Sequence, residues 1–277
     1  MWDGLSHPSL ISLQSCGQDE DAPRLRHAAR GAGRGDMASI HTHANAILSR
    51  LPILCQDEIQ DAGRTISLDP GHVLHPFGTP TTSVFFPLSG VVSLTIPVED
   101  GHKVEVALVG NDGLVGIGAL LGNDLSDLDA MAQAKGHAIE IPLDSVSPDL
   151  KRALDPFASR YATSLMLEIA QTAACNRLHS VEQRTARWLL QASDHAGMND
   201  LKLTHEFLAM MLAVRRASVT VVVGVFNRAG LISAERGRIS LADREGLTDV
   251  ACDCYKAIRA AAPTYDSNWS DDAVAAA

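Results

Sequence analysis

Residues 203–241 constrain the fold of this chain more than any other segment. The segment opens with a candidate helix N-cap, Thr204, whose hydroxyl can accept a free backbone N–H. Glu206 follows in the first turn, where a negative charge suits the helix dipole. A stripe of apolar residues then recurs at helical spacing: Leu208, Met211 and Leu212. The pattern predicts an amphipathic helix with a well-defined start.

A second helix is predicted after a turn at Ala213 and Val214. Its inner face carries apolar residues at three- and four-residue spacing: Val219, Val222, Val223 and Phe226. The β-branched run at 219–223 would favour a strand by propensity alone, and the alternative is a buried strand in an unrelated α/β core. The spacing, the preceding helix and the Gly230 stop all favour a helix.

The segment ends in two short apolar stretches around a tip formed by Arg236, Gly237 and Arg238, which is typical of a β-hairpin. Two helices joined by a tight turn and followed by a hairpin form a winged helix-turn-helix. Such a motif places its second helix in the major groove of DNA. The sequence therefore predicts double-stranded DNA as a partner.

Several side chains of this segment are candidate DNA contacts. An arginine near the start of the second helix can pair with guanine O6 and N7, which contributes about 1–3 kcal/mol of discrimination. Hydroxyl groups can bond phosphate oxygens, and small apolar groups can contact thymine methyls. The candidate set is Thr204, Arg215, Arg216, Ala217, Ser218, Thr220, Val221, Arg236 and Arg238.

These residues resemble the DNA-binding domain of the Crp/Fnr family of bacterial transcription regulators, and the resemblance extends upstream to about Ile47. Arg216 falls on the family's base-reading arginine. Ala217 stands where several members have a glutamate that reads cytosine, and Val221 where some have a second arginine. The resemblance implies a homodimer that reads a near-palindromic site and works with RNA polymerase. The two departures imply an operator different from the familiar one, and activation and repression stay open.

Short strand-like segments punctuated by glycine and proline predict a β jelly roll between Thr65 and Ile141. The predicted strands are TISL, VLHPF, SVFFPLSG, VVSLTIPV, VEVALVG and AIEIPL, with turns at Gly71, Gly78, Gly90 and Gly101. The stretches VFFPLSGVVSL and VEVALVGNDGLVGIGALLG resemble the family's sensor domain, in the subgroup whose effector is not a cyclic nucleotide.

The expected effector site lacks the groups that hold a cyclic nucleotide in relatives. Those proteins bind the ribose with a glutamate and the phosphate with an arginine, whereas Ile117 stands at the glutamate position here. No arginine or lysine occurs between Gly116 and Ala134, so a buried phosphate would lack a cationic partner. We therefore expect no cAMP binding, no cofactor and an unknown effector, if one exists.

A long apolar stripe predicts a helix over residues 148–179, with Leu150, Leu154, Phe157, Tyr161, Leu165 and Ile169 at three- and four-residue spacing. The resemblance implies that this helix pairs with its twin as a coiled coil. The alternative is a helix packed wholly on its own sensor domain. Residues 180–193 predict the amphipathic helix that opens the DNA-binding domain.

The predicted fold class is α+β: an N-terminal jelly roll like that of cyclic-nucleotide-binding domains, a long helix and a C-terminal winged helix-turn-helix. The predicted parts are a disordered leader at 1–45, the sensor at 46–147, the dimerisation helix at 148–179, the DNA-binding domain at 180–250, and a C-terminal helix and tail at 251–277. Met37 is a candidate for the true start.

Charge is divided unevenly along the chain, whose net charge is -10. Residues 46–150 hold 14 acidic against 4 basic residues, a local net of -10, whereas residues 177–240 hold 9 basic against 5 acidic residues, a local net of +4. The positive charge thus lies on the segment expected to meet phosphate. No apolar run is long enough for a membrane span and no signal peptide is evident, so we predict a cytoplasmic protein without membrane contact.

The cysteines and histidines give weak signals for metal binding. The five cysteines, Cys16, Cys55, Cys175, Cys252 and Cys254, do not form a disulfide or iron–sulfur pattern. Cys252 and Cys254 could chelate a metal or form a redox pair. We expect instead that they are two ordinary cysteines on a C-terminal helix, and we predict no metal site. The histidines of the sensor region, His41, His43, His72, His75, His102 and His137, include one His-x-x-His pair.

Two other functions are compatible with this pattern. The first is a cupin-like metalloenzyme with an appended helical domain, but the predicted strands between Thr65 and Ile141 lack the clustered His-x-His and Glu that would announce one, so no catalytic residues are predicted. The second is a DNA-tethered scaffold with a vestigial sensor, whose affinity for DNA would not respond to any metabolite.

Overall fold

The computed structural model of the chain describes residues 44–98 and 103–263. The predictions for the leader, the Met37 start and the tail beyond residue 263 lie outside these residues, as do Cys16, His41, His43, Gly101 and His102. A 3-10 turn at Leu48–Arg50 precedes the first helix, and another at Leu143–Ser145 precedes the long helix. The elements are α1 (Ile53–Ala62), β1 (Arg64–Leu68), β2 (Val73–His75), β3 (Ser83–Pro97), β4 (Lys103–Val109), α2 (Ile117–Leu120), β5 (Asp129–Pro142), α3 (Pro148–Leu178), α4 (Val181–Ala196), β6 (Asp200–Leu201), α5 (His205–Met211), α6 (Arg216–Arg228), β7 (Ile232–Glu235), β8 (Arg238–Leu241), α7 (Arg244–Val250) and α8 (Cys254–Ala261).

The N-terminal part is built on an antiparallel sheet in the order β1-β5-β3-β4, with β2 also paired to β5. The long strands β3 and β5 pair from Ser83 opposite Pro142 to Thr95 opposite Asp129, and three register shifts bend the pair along its length. The bends let one ribbon wrap around a core that includes Phe86, Ile139 and Ile141. The predicted fold class, a β-rich N-terminal domain followed by a C-terminal helix-turn-helix, is confirmed.

The prediction of separate strands SVFFPLSG and VVSLTIPV is wrong, because both belong to β3. Gly90 does have a positive φ, 83°, but it forms a bulge inside the strand rather than a turn between strands. A Cβ at Gly90 would lie 2.7 Å from the carbonyl oxygen of Ala134, so the close approach of β5 also requires glycine. Gly71 and Gly78 lie in turns, as predicted.

Strand β5 begins at Asp129, nine residues before the predicted strand AIEIPL. Its first half, DAMAQAK, is rich in alanine and contains no β-branched residue, so its sequence carries little strand propensity. Alanine is nevertheless suited to the site, because Ala130 and Ala132 are buried beneath the ribbon. Packing rather than local preference determines this half of the strand.

Helix α3 packs the predicted apolar stripe into the sensor of its own chain. Leu150, Leu154, Phe157, Tyr161 and Leu165 belong to the same buried cluster as the sheet, and Ile169 packs against it. These side chains are already covered within their own chain, so the coiled coil that the resemblance implies would have to use another face of α3. A different face of α3 leaves large apolar side chains in solvent, with Met166 71% and Leu178 73% exposed.

The C-terminal part has its own core, which is shared at one edge with the sensor sheet. Helix α4 begins at a capping box in which the Ser180 hydroxyl accepts from Gln183 N–H and the Gln183 side chain accepts from Ser180 N–H. Val91 and Leu108 of the sheet join the cluster around Trp188 and Phe226. The C-terminal part is therefore packed against β3 and β4 of the same chain.

Among the described residues, no individual helix has the length and apolar character to cross a bilayer; α5 and α6 would qualify only as a pair, and they are bent by 111°.

Candidate nucleic-acid interface and sensor cavity

The angle of 111° between α5 and α6 is that of a helix-turn-helix. Thr204 caps α5, since its hydroxyl accepts a hydrogen bond from Phe207 N–H at 3.2 Å. Ala213 lies in the turn with a φ of 50°, which only glycine adopts without cost. Leu208, Met211 and Leu212 are buried between the helices, as predicted.

Helix α6 forms over the β-branched run because its tertiary contacts outweigh strand propensity. Val219, Val223 and Phe226 are buried against the core, whereas Val222 is half-buried. The chain leaves the helix through Gly230, whose φ of 74° confirms the predicted left-handed stop. Asn227 of α6 accepts a hydrogen bond from Ala234 N–H at 2.9 Å. This contact fixes the wing, which is the hairpin of β7 and β8, to α6, the recognition helix.

The candidate DNA contacts lie at the surface of this motif, and four of them, Thr204, Arg216, Thr220 and Arg236, line one groove. Ser218, in the first turn of α6, is half-buried. The other eight are exposed: Thr204, Arg215, Arg216, Ala217, Thr220, Val221, Arg236 and Arg238. Val221 is 65% exposed. A groove of about 620 Å³ runs between α6, the start of α5 and the wing tip, and is lined by Arg216, Thr220 and Arg236.

Ion pairs reduce the positive charge available to DNA. The Arg216 guanidinium lies 3.6 Å from the Glu206 carboxylate, and both side chains are exposed. Arg238 pairs with Asp200 at 2.6 Å on the neighbouring strand. Arg184 and Arg187, counted in the local charge of +4, are buried and point into the core. Arg215 and Arg236 are exposed and form no ion pair among the described residues, so they carry most of the remaining charge of the predicted face.

The sensor contains an apolar cavity of about 150 Å³ beneath α2. It is lined by Leu94, Val115, Ile117 and Leu128, together with Leu165 from α3. No lysine or arginine lines it among the described residues, and Asp127 adds a carboxylate at its rim. A cyclic phosphate would therefore meet no lysine or arginine there, although the Thr81 and Ser126 hydroxyls also line the cavity.

The sensor histidines do not converge on a metal site within the described residues. His72 and His137 are exposed, whereas His75 is buried edge-on against Phe85 with ring centroids 5.1 Å apart. Burial lowers the pKa of His75, so the imidazole is neutral at physiological pH. Among the described residues, His72, His75 and His137 therefore do not converge as the facing metal ligands that a cupin-like enzyme needs.

One cluster was missed at the sequence level. The structure brings Cys175 and His179, at the end of α3, beside Cys252 and Cys254. The expectation that Cys252 and Cys254 merely share a C-terminal helix is wrong, because Cys252 precedes α8 and Cys254 is its first residue. The i, i+4 spacing of Cys175 and His179 was the available signal, since it places both side chains on one face of a helix.

Two family models match the chain, in the order of its two structural parts. The cyclic nucleotide-binding domain matches residues 65–150 and the Crp-like helix-turn-helix domain matches residues 183–250. The transcriptional regulator SdrP of Thermus thermophilus is 29% identical over 196 residues, which cover 68% of this chain and 94% of the relative. The global nitrogen regulator of Nostoc is 26% identical over 175 residues, 59% of this chain and 78% of the relative.

Solved structures share the architecture. A Crp/Fnr-family regulator from Thermus thermophilus superimposes with a TM-score of 0.55 at 27% identity, over 68% of this chain and 98% of that one. A structure from Eubacterium rectale, described as a putative regulator of the same family, gives a TM-score of 0.57 at 18% identity, over 75% of this chain and 98% of that one.

A β-rich sensor, a long connecting helix and an exposed recognition helix define a DNA-binding transcription regulator of the two-domain type. The two family models, the related regulator SdrP and the solved Crp/Fnr-family regulator from Thermus thermophilus all match this two-domain architecture. The chain belongs to the Crp/Fnr family of transcriptional regulators.

Proposed function

We propose that this regulator is a homodimer that reads a near-palindromic DNA site with α6. The observation that carries the proposal is the exposed face of α6, on which two arginines stand at the helix start and two residues able to contact thymine methyls stand one turn later: Arg215, Arg216, Thr220 and Val221. The arginine of the wing tip, Arg236, would meet the phosphate backbone beside the same groove.

Selection of bound sites from random duplex DNA tests this proposal. Wild type and Arg216→Ala are compared at one stated salt concentration, because affinity for phosphate depends strongly on salt. We expect a two-fold symmetric site for the wild type, with relaxed preference at one base pair of each half-site for the variant. Arg152→Ala, an exposed arginine at the sensor end of α3, serves as the control and leaves the site unchanged. Binding without an enriched site would contradict sequence-specific recognition.

The exposed face of α3 is the proposed dimer surface. Met166, Leu167 and Leu178 are its large apolar residues, and Ala170 and Ala174 lie between them in solvent. Their spacing of three and four residues would let the same face of a second copy pack against it. Sedimentation of Met166→Glu against Lys256→Glu, an exposed position on α8, tests the assignment. We expect only Met166→Glu to yield monomers at micromolar concentration.

The sensor is proposed to respond to something other than a cyclic nucleotide, because its apolar cavity offers no cation to a phosphate. Titration calorimetry is expected to show no saturable heat with cAMP at micromolar concentration. A regulator of promoters also works with RNA polymerase, and we keep the polymerase as a proposed partner in the cytoplasm, where bacterial DNA lies. Transcription from a promoter that carries the selected site, with purified polymerase, would reveal either activation or repression.

A further inference from the structure

We propose that Cys175, His179, Cys252 and Cys254 form a structural zinc site that fastens the two ends of the DNA-binding domain together. The four ligand atoms all lie within 4.8 Å of one another, and three of the four residues are buried. A set of three thiols and one imidazole is a donor set typical of structural zinc.

The distances suit one tetrahedral ion. Sγ of Cys175 lies 3.5 Å from Sγ of Cys252, and Sγ of Cys254 lies 3.4 Å from Nδ1 of His179. Zn–S bonds of about 2.3 Å in a tetrahedron place sulfur atoms roughly 3.8 Å apart, so small side-chain shifts would complete the shell. An iron–sulfur cluster divides its four protein ligands between at least two iron atoms, so the ligands of different irons lie much farther apart than these four atoms do.

The surroundings favour an anionic centre. Arg184 is a buried guanidinium whose Nε has no hydrogen-bond partner within the described part of the chain. The sulfurs of Cys175 and Cys252 lie close enough to interact with its charge. A zinc ion with three thiolates and one imidazole carries one net negative charge, which would offset that buried cation. Gln171 donates a hydrogen bond to Sγ of Cys254 at 3.1 Å, a contact of the kind that orients metal-bound thiolates.

The position of the cluster indicates what the metal would do. Cys175 and His179 immediately precede α4, and Cys252 and Cys254 follow α7, so the four ligands bracket the whole winged helix-turn-helix. Arg184, beside the sulfurs, donates a hydrogen bond to the carbonyl of Leu212 in the turn before the recognition helix. The ion would fix both the end of α3 and this turn, and its loss would loosen the recognition helix.

Binding would release the thiol protons, since zinc is ligated by thiolates. The ion enters as Zn²⁺ and stays Zn²⁺, so no electron is transferred and no co-reactant is required. The site is independent of the proposed DNA specificity, because metal content can be measured without any DNA.

The test is the metal content of the full-length protein purified under reducing conditions without chelator. We expect about one zinc ion per chain in wild type and in Cys55→Ser, whose cysteine lies outside the cluster, and below roughly a tenth of an ion in Cys254→Ser and Cys175→Ser. Replacement by Co²⁺ in the wild-type protein should give the d–d and sulfur-to-cobalt charge-transfer bands of a tetrahedral thiolate site. Because the cobalt spectrum is recorded on the wild-type protein, it tests the site even if a serine variant fails to fold.

Three results would overturn the proposal: substoichiometric zinc with no cobalt bands, a Cys175–Cys252 disulfide in protein isolated without reductant, or a protein that carries iron and acid-labile sulfide. Selection of DNA sites reports separately on the proposed function. A protein can therefore fail the metal test and pass the DNA test, or the reverse.

Discussion

Glu105 of β4 accepts a hydrogen bond from the indole Nε1 of Trp188, on α4, at 2.5 Å. The Ser93 hydroxyl donates to the other carboxylate oxygen, and all three side chains are buried. The contact joins the sensor sheet to the first helix of the DNA-binding domain. Burial raises the pKa of Glu105 to about 8, although the hydrogen bonds from Ser93 and Trp188 and the charge of Arg187 oppose the shift.

The raised pKa of Glu105 makes the contact between Glu105 and Trp188, which joins the two domains, sensitive to pH. The folded state holds the Glu105 proton more tightly than the unfolded state, so this group contributes stability that is present below pH 4.5 and is lost as pH rises through about 8. Glu105→Gln keeps an acceptor for Trp188 but cannot ionise. We therefore expect its free energy of unfolding in urea to fall less than that of wild type between these two pH values.

Asp149→Asn is the matched control, since it neutralises an exposed carboxylate on α3. Its stability should follow the wild-type pH curve. Parallel curves for Glu105→Gln and wild type would mean that Glu105 does not titrate in this window.

His195 of α4 provides a second titrating contact with the sensor. Its Nδ1 lies 3.2 Å from the carboxylate of Asp112. Burial alone would lower the pKa of His195, but the charges of Asp112, Glu168 and Asp194 outweigh it and raise the pKa to about 9. The stability that this histidine contributes is present below pH 6.5 and is lost as pH rises through about 9.

His195→Asn should therefore be less stable than wild type at pH 6.5, by an amount of the order of 3 kcal/mol, and should lose less stability towards pH 9. The measurement is urea unfolding at the two pH values. His72→Asn, which alters an exposed histidine of the sensor, should behave as wild type. An equal loss of stability at both pH values in His195→Asn would indicate a packing defect rather than a lost ion pair.

The strained turn of the helix-turn-helix gives a third prediction. Ala213 has a φ of 50°, a conformation that costs a residue with a Cβ about 1–2 kcal/mol. Glycine removes that cost but loses roughly 0.4–1 kcal/mol through a more flexible unfolded chain. Ala213→Gly should therefore raise the free energy of unfolding by about 0.5 kcal/mol, as measured by urea titration.

The control is Ala217→Gly in the first turn of α6, where the backbone is helical. Glycine should destabilise that position by roughly 0.5–1 kcal/mol. If both variants lost the same stability, the left-handed conformation of Ala213 would be excluded.

Local sequence determines the helix-turn-helix, and this is why it could be predicted. The cap at Thr204, the apolar spacing of α5 and α6, and the stop at Gly230 each act within a few residues of one another. The helical state of the β-branched run at 219–223 was also predictable, because its apolar spacing outweighed propensity.

Features that depend on distant residues could not be derived in this way. The first half of β5 is a strand because it pairs with β3. The apolar spacing of α3 predicted a buried face, but periodicity does not say which surface that face packs against. The cysteine cluster joins residues 77 apart along the chain, Cys175 and Cys252, and only the folded chain brings them together.

The ion pair between Arg216 and Glu206 leads to the last prediction. The guanidinium and the carboxylate are 3.6 Å apart, and both residues line the groove beside α6. The carboxylate therefore competes with DNA for the proposed base-reading arginine and also repels phosphate. Glu206→Gln should strengthen binding to the selected DNA site by a few fold, because an exposed pair of this kind contributes up to about 1 kcal/mol. Fluorescence anisotropy with labelled duplex measures the change.

The gain should shrink as salt increases, since screening weakens both the ion pair and the repulsion of phosphate. Asp149→Asn removes a negative charge from the sensor end of α3 and separates the local effect from that of net charge. In the background of Arg216→Ala, Glu206→Gln should retain only the part of the gain that comes from phosphate repulsion. If Glu206→Gln bound the site more weakly than wild type, the carboxylate would itself be a DNA contact, and Glu206 would join the recognition surface.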